Sequence, residues 1–342
     1  MALTSRELVL STLEFRNTAG RAPRDLWTLP WAGLHGAAHV ARIKEDFPGD
    51  FVTAPGFLRV KPATRGDAYA PGEYPDPWGC VFTNCQAGVI GEVKKPVIPE
   101  DDDGWSDLSL VHFPEEWLSI DKDKINAFCA AAGRFVLPDA CPRPFEQLQF
   151  IRGTGQLFMD LMDPPSGMPA FKERMQDLYT RVVTAWAETD VDAILFMDDW
   201  GSQRALLISP ALWDRYFRPM YRDYIDIAHA HGKKAFMHSD GHILDILPRL
   251  IDMGLDAVNS QIFCMGIDKL APYAGKITFW GEIDRQYLLS RATPAEVDAA
   301  VKAVRRALWR DGGCIAQCEY GAGARGENVY QVFASWMAEL GT

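Results

Sequence analysis

The sequence lacks any apolar run approaching the roughly 20 residues that a membrane-spanning helix needs, so a helical membrane protein is not expected. It also lacks positive charge: 35 lysines and arginines face 46 aspartates and glutamates, for a formal net charge of −11. General nucleic-acid binding requires a basic footprint that this balance does not supply. No glycine-rich dinucleotide fingerprint and no phosphate-binding P-loop occur. The seven cysteines are odd in number and are not spaced like those of a small disulfide-stapled domain. They read as free or metal-bound thiols in a reducing, cytoplasmic setting. The opening residues Met1 to Glu7 carry charge early and have no long apolar core, so they do not read as a signal peptide.

What remains is an ordinary globular composition, 48% hydrophobic and 24% charged over 342 residues. That length suits one large domain. Thr4 and Glu7 form a capping box ahead of the apolar positions Leu8, Val9 and Leu13, which predicts a short first helix. The stretch from about Lys61 to Trp117 differs from its surroundings. It is rich in proline, glycine and aspartate, with an acidic run at Asp101-Asp102-Asp103 and a short strand expected over Trp78–Phe82. It reads as an insertion or lid within a single domain spanning 1–342.

From Leu148 onward, short apolar runs alternate with longer amphipathic ones. Strands are expected at Leu148–Ile151, Ala193–Met197, Ala235–Met237, Ala257–Val258, Ile277–Trp280 and Cys314–Ala316. Helices between them carry good start signals, Ser209-Pro210 and Thr293-Pro294-Ala295-Glu296. Strand and helix in repeated alternation imply parallel pairing with helical crossovers. Several of these strands end in chemically capable residues: Asp198-Asp199-Trp200, His238-Ser239-Asp240, Asn259-Ser260-Gln261, Gly281-Glu282 and Gln317-Cys318-Glu319. Polar strand ends contributed by at least five strands predict a (β/α)₈ TIM barrel with its site at the C-terminal rim. An open doubly wound sheet would concentrate them at one switch point.

His238 and Asp240 stand two apart at a strand end, so their side chains share a side. With the thiol of Cys318 from the last strand they form one candidate metal set, which would suit zinc with an open fourth position. Glu282 and Glu319 are candidates for that position or for supporting contacts. The plain alternative is a hydrogen-bonded histidine and a buried, space-filling cysteine. Asp198 and Asp199 are adjacent, so at most one faces the mouth, and the other could cap a turn.

The segments Asp76-Pro77-Trp78-Gly79, Asp198-Asp199-Trp200-Gly201-Ser202-Gln203, Ser209-Pro210-Ala211-Leu212-Trp213, His238-Ser239-Asp240-Gly241 and Phe279-Trp280-Gly281-Glu282-Ile283-Asp284 resemble the uroporphyrinogen decarboxylase superfamily, which includes zinc-dependent cobamide methyltransferases. The resemblance spans nearly the whole chain, and the fold it implies is again a (β/α)₈ barrel. In the methyltransferase branch the zinc ligands resemble His-x-Cys plus a later Cys. His238 matches the first and Cys318 the last, while Asp240 stands in place of the middle cysteine. Either a carboxylate has joined the ligands or the metal has been lost.

An oxygen ligand makes zinc harder than a second thiolate would. Such an ion suits polarisation of an ether oxygen. The resemblance therefore implies an O-demethylase that takes methyl from a methoxylated, aromatic compound and passes it to Co(I) of a corrinoid on a separate partner protein. Asp199, Glu282 and Glu319 are the expected acid groups, and Trp200, Gln203 and Gln261 the expected substrate contacts. The resemblance also implies a homodimer. Three rivals stand beside this reading. A thiol (coenzyme M-type) methyltransferase is disfavoured by Asp240. A true uroporphyrinogen decarboxylase needs mouth arginines that the segment Ala22–Pro30 does not provide. The third is a non-catalytic barrel.

Overall fold

The computed structural model describes residues 3–99 and 104–339. Eight parallel strands carry the architecture: β1 (Arg24–Thr28), β2 (Phe51–Ala54), β3 (Phe135–Pro138), β4 (Ala193–Met197), β5 (Lys234–Ser239), β6 (Ala257–Ser260), β7 (Thr278–Trp280) and β8 (Cys314–Tyr320). Six of them form one curled sheet in the order β1-β8-β7-β6-β5-β4, and β2 pairs with β3 in a second. Single backbone hydrogen bonds bridge the two sheets. Asp50 N donates to Arg24 O, and Asp192 N to Val136 O, both at 2.9 Å. The fold is TIM-barrel-like.

A compact apolar cluster shows which side chains face inward. It contains Phe51, Phe135, Leu137, Ala193, Phe236, Ala257, Trp280 and Ile315, with Trp27 and Leu195 packed against it. Every one of the eight strands contributes, as expected when alternate residues fill an enclosed interior. Val9 and Leu13 join the same cluster, so the first helix, Ser5–Leu13 with its Thr4–Glu7 capping box, closes one end. The amphipathic helices pack outside, including Pro210–Tyr216 with its Ser209 cap and Pro294–Leu308 with its Thr293–Glu296 capping box. No helix among the described residues is long and apolar enough to cross a membrane.

Two local expectations are corrected. Leu148–Ile151 is not a strand but lies in the helix Pro144–Arg152, which follows β3. Leu148 and Ile151 share one buried helix face with Phe145, and a segment of four residues cannot by itself distinguish the two. The strand expected at Trp78–Phe82 instead occupies Val81–Asn84, because the Asp76 carboxylate accepts from the backbone of Trp78 and Cys80 and folds those residues into a turn. That strand is the centre of a three-stranded antiparallel sheet with Gly72–Pro75 and Glu92–Val93. Trp78, Ile98 and Trp105 from this stretch are buried in the main core. The acidic run Asp101–Asp103 lies outside the described residues.

Candidate metal centre

Inward-facing parity continues past the strand ends and decides which polar residues reach the mouth. On β4 it runs Ala193, Leu195 and onward to Asp199. On β5 it runs Phe236, His238, Asp240, on β6 Ala257, Asn259, and on β8 Ile315, Gln317, Glu319. Asp198 takes the opposite side. It is fully buried, accepts from the backbone of Phe145 (3.0 Å) and Glu146 (2.7 Å), and receives the Tyr221 hydroxyl. The two adjacent aspartates thus split their work, one clasping the next helix and the other entering the site.

Asp199, His238 and Asp240 come together, each offering a ligand atom within 4.8 Å of the others. His238 Nε2 lies 3.6 Å from Asp199 Oδ1 and 3.7 Å from Asp240 Oδ1. The edge of a tetrahedron with metal bonds of about 2.0 Å is roughly 3.3 Å, so a small contraction would enclose an ion. Asp240 Oδ1 is buried and has no hydrogen-bond partner, and Glu282 Oε1 beside the group has none either. Buried acceptors without donors are costly unless something positive sits between them. The donor set therefore fits a divalent ion of the zinc kind.

The histidine's orientation is fixed from behind. Asn259, fully buried, donates through Nδ2 to the Trp280 carbonyl, which can only accept. Its Oδ1 therefore faces His238 Nδ1 at 2.6 Å and takes a proton from it. Nε2 is left with its lone pair toward the two carboxylates, the tautomer a metal ligand needs. Without an ion the imidazole holds a proton instead. Burial would lower its pKa, but the Asp199 carboxylate close by and the charges of Asp240 and Glu282 outweigh it and lift the value to about 9.

The loops that carry the two aspartates are fastened together. Asp240 N donates to Asp199 Oδ1 at 2.9 Å, and Gly201 N to Asp240 O at 3.1 Å. Gly241 has φ +78°, and a Cβ there would fall 1.9 Å from Gly201 O, so no larger residue permits this crossing.

Arg285, on the loop after β7, balances the remaining acids. It meets Asp240 Oδ2 at 2.5 Å, stands 3.1 Å from Glu282 Oε2, and pairs with Glu319. Burial pushes the Glu282 carboxyl up to about 7 despite the arginine. Burial, with the charge of Asp199, raises Glu146 to about 7 as well. An open cleft of about 520 Å³ lies over the barrel interior, bounded by Trp27, Leu137, Leu195, His238, Trp280, Arg285 and Glu319 among others. The Trp27 ring stands 5.3 Å from the His238 ring.

The expected substrate contacts divide, and one expected ligand drops out. Gln203 and Gln261 meet at the rim, Nε2 to Oε1 at 3.2 Å. Trp200 is no substrate contact. It is fully buried, stacked on Phe145 at 4.0 Å, and donates to the Tyr221 hydroxyl. Cys318 does not join the ligands. It alternates with the inward Gln317 and Glu319, faces the helix layer with Cys314 and Ala316, and is 0% exposed. Burial first, then the charges of Glu282 and Glu319, push its thiol well above the ordinary value. Asp199, expected as an acid group beside the metal, stands instead among the candidate ligands with His238 and Asp240. Asn259, Arg285 and Glu146 were not singled out from sequence. Only Asn259 had a legible signal, its position two residues beyond an inward alanine at a strand end.

The family model for uroporphyrinogen decarboxylase (URO-D) matches residues 134–329, more than half of the chain. No curated protein sequence matches. Among solved structures, a methyltransferase from Methanosarcina mazei is similar over 98% of both chains, with a TM-score of 0.62 and 12% sequence identity. A glycoside hydrolase family 10 endo-β-1,4-xylanase from Gloeophyllum trabeum gives a TM-score of 0.46 at 9% identity, over 96% of this chain and 98% of its own.

Proposed function

This chain belongs to the uroporphyrinogen decarboxylase family, and from that footing we propose that it is a zinc-dependent methyltransferase acting as an O-demethylase. It takes the methyl group of a methoxylated aromatic compound and gives it to the Co(I) of a corrinoid carried by a separate protein. The observation that carries this reading is the all-oxygen-and-nitrogen donor set Asp199–His238–Asp240, with His238 locked in its ligand tautomer by Asn259. Zinc bound there would supply Lewis-acid polarisation of an ether oxygen.

The chain's own groups do the rest. Trp27 and Trp280 wall the cleft that opens onto the metal centre. The oxygen keeps the electron pair of the broken carbon–oxygen bond and needs a proton. Glu282, held near 7, is placed to provide it. Decarboxylation of a many-carboxylate porphyrinogen fits less well. Asp199, Asp240, Glu282 and Glu319 crowd the mouth, and Arg285 is already paired to three of them. Methyl transfer to a thiol is also disfavoured, because no thiolate stands among the ligands.

The test combines metal analysis with turnover. The purified protein should hold close to one zinc per chain and lose it on His238→Ala. With free cob(I)alamin and a panel of methoxyarenes, the visible spectrum of the methylated corrinoid should appear. Metal-free protein with an intact fold, or methyl transfer to thiols but never from ethers, overturns the proposal.

A further inference from the structure

Beside the barrel mouth lies a second chamber of about 290 Å³, beneath the stretch that follows β2 and over the end of β3. Its volume falls at the lower end of small-ligand pockets, roughly 300–1,000 Å³, so it admits one substituted ring and not a tetrapyrrole. Its walls are aromatic. Trp78 stands 5.7 Å from Tyr179 and 6.2 Å from Trp117, and Phe82 lies edge-on to Phe150 at 5.0 Å.

Two donors in these walls are open to a ligand. Trp78 is 1% exposed, yet its indole Nε1 has no hydrogen-bond partner. Buried indole N–H groups normally find one. The Arg143 guanidinium is the other. Its side chain is 37% exposed, and its nearest carboxylate oxygen, Glu146 Oε2, is 4.0 Å away, beyond hydrogen-bond reach. The acids of the chamber do not answer this need. Asp76 is occupied by the backbone of Trp78 and Cys80 and by Gln147, and Asp139 sits on the exposed outer lip.

We infer that this chamber binds a single-ring aromatic carboxylate, its ring against Trp78, Trp117 and Tyr179, its carboxylate on Arg143, and an acceptor oxygen on Trp78 Nε1. Arginine matches a carboxylate in two parallel hydrogen bonds. The chamber and the metal centre are joined by one helical turn, since Arg143 and Glu146 open the helix Pro144–Arg152 and Glu146 feels the charges of Asp199 and His238. The inference rests on the demethylase reading only in naming this ligand as its substrate class: a methoxylated aromatic acid.

Isothermal titration calorimetry tests it without corrinoid. The probes are 4-methoxybenzoate, the neutral 4-methoxybenzamide and the cation 4-methoxyphenyltrimethylammonium. The carboxylate should bind at least tenfold more tightly than the amide. Arg143→Gln should erase that preference, Arg143→Lys should keep part of it, and Trp78→Phe should weaken the carboxylate a few-fold while leaving the ring in place. Equal affinity for acid and amide, preference for the cation, or an Arg143→Gln protein that still prefers the acid overturns the inference. Tight, Arg143-dependent binding without methyl transfer would count against the demethylase reading alone. Methyl transfer without the carboxylate preference would count against this chamber alone.

Discussion

Replacing Asn259 perturbs the metal centre without touching a ligand. Asn259→Leu keeps the branched four-atom outline but removes the oxygen that takes the His238 Nδ1 proton and the N–H that serves the Trp280 carbonyl. Loss of a partner behind a histidine ligand typically costs ~10–100-fold in metal affinity, or about 1.4–2.7 kcal/mol. The two buried groups left unpaired cost about 1–3 kcal/mol each in stability. Asn259→Asp separates these effects. It still accepts from Nδ1 at the 2.6 Å contact and makes the imidazole a better donor to the ion, but it too loses the bond to Trp280. Both variants should therefore melt earlier, while only the leucine variant releases zinc readily in competition with a chromogenic chelator. Equal zinc loss in both would mean that the site is disturbed by misfolding and not by histidine orientation. Unchanged affinity in the leucine variant would refute the tautomer argument.

Two further outcomes follow from the same geometry. Cys318→Ala should leave zinc content unchanged and cost about 1 kcal/mol through the small void it opens in the helix layer, read by metal analysis and denaturant unfolding; loss of the metal would restore the cysteine as a ligand. Metal-free protein should lose stability as pH rises from about 5 to 9. Glu282 has a folded value near 7, above its usual 4.5, so its contribution is present below about 4.5 and gone above 7. His238, lifted from 6.5 to about 9, contributes below 6.5 and loses that contribution through 9. Glu282→Gln should flatten the thermal melting profile between about pH 4.5 and 7, and an unchanged slope there would refute the assignment.

Much of the barrel was legible because strand parity and helix caps are local. The runs at Ala193–Met197 and Ala235–Met237, and the caps at Ser209 and Thr293, follow from patterning that needs no distant partner. Leu148–Ile151 failed since four residues, one of them Gln149, carry too little periodicity to tell a strand from a helix face. The site was legible in part. Adjacent aspartates had to diverge, and residues two apart had to converge, so Asp199, His238 and Asp240 could be singled out. Cys318 misled because both faces of β8 are buried, and its alternating residues give no sequence clue as to which face is inside. Arg285 could not be found this way. It meets Asp240, Glu282 and Glu319 only through a loop path that no period encodes.

Asp198 ties the start of the helix Pro144–Arg152 to the end of β4 through both its oxygens. Arg143 and Glu146 therefore cannot shift without dragging Asp199, one residue along. The side chamber and the ion-binding corner behave as two jaws cast in a single piece, so whatever seats itself in one is delivered at a fixed offset to the other. Substrates differing by the length of one bond between ring and carboxylate should then be distinguished by alignment at the reacting oxygen, even where their grip on the chamber is the same.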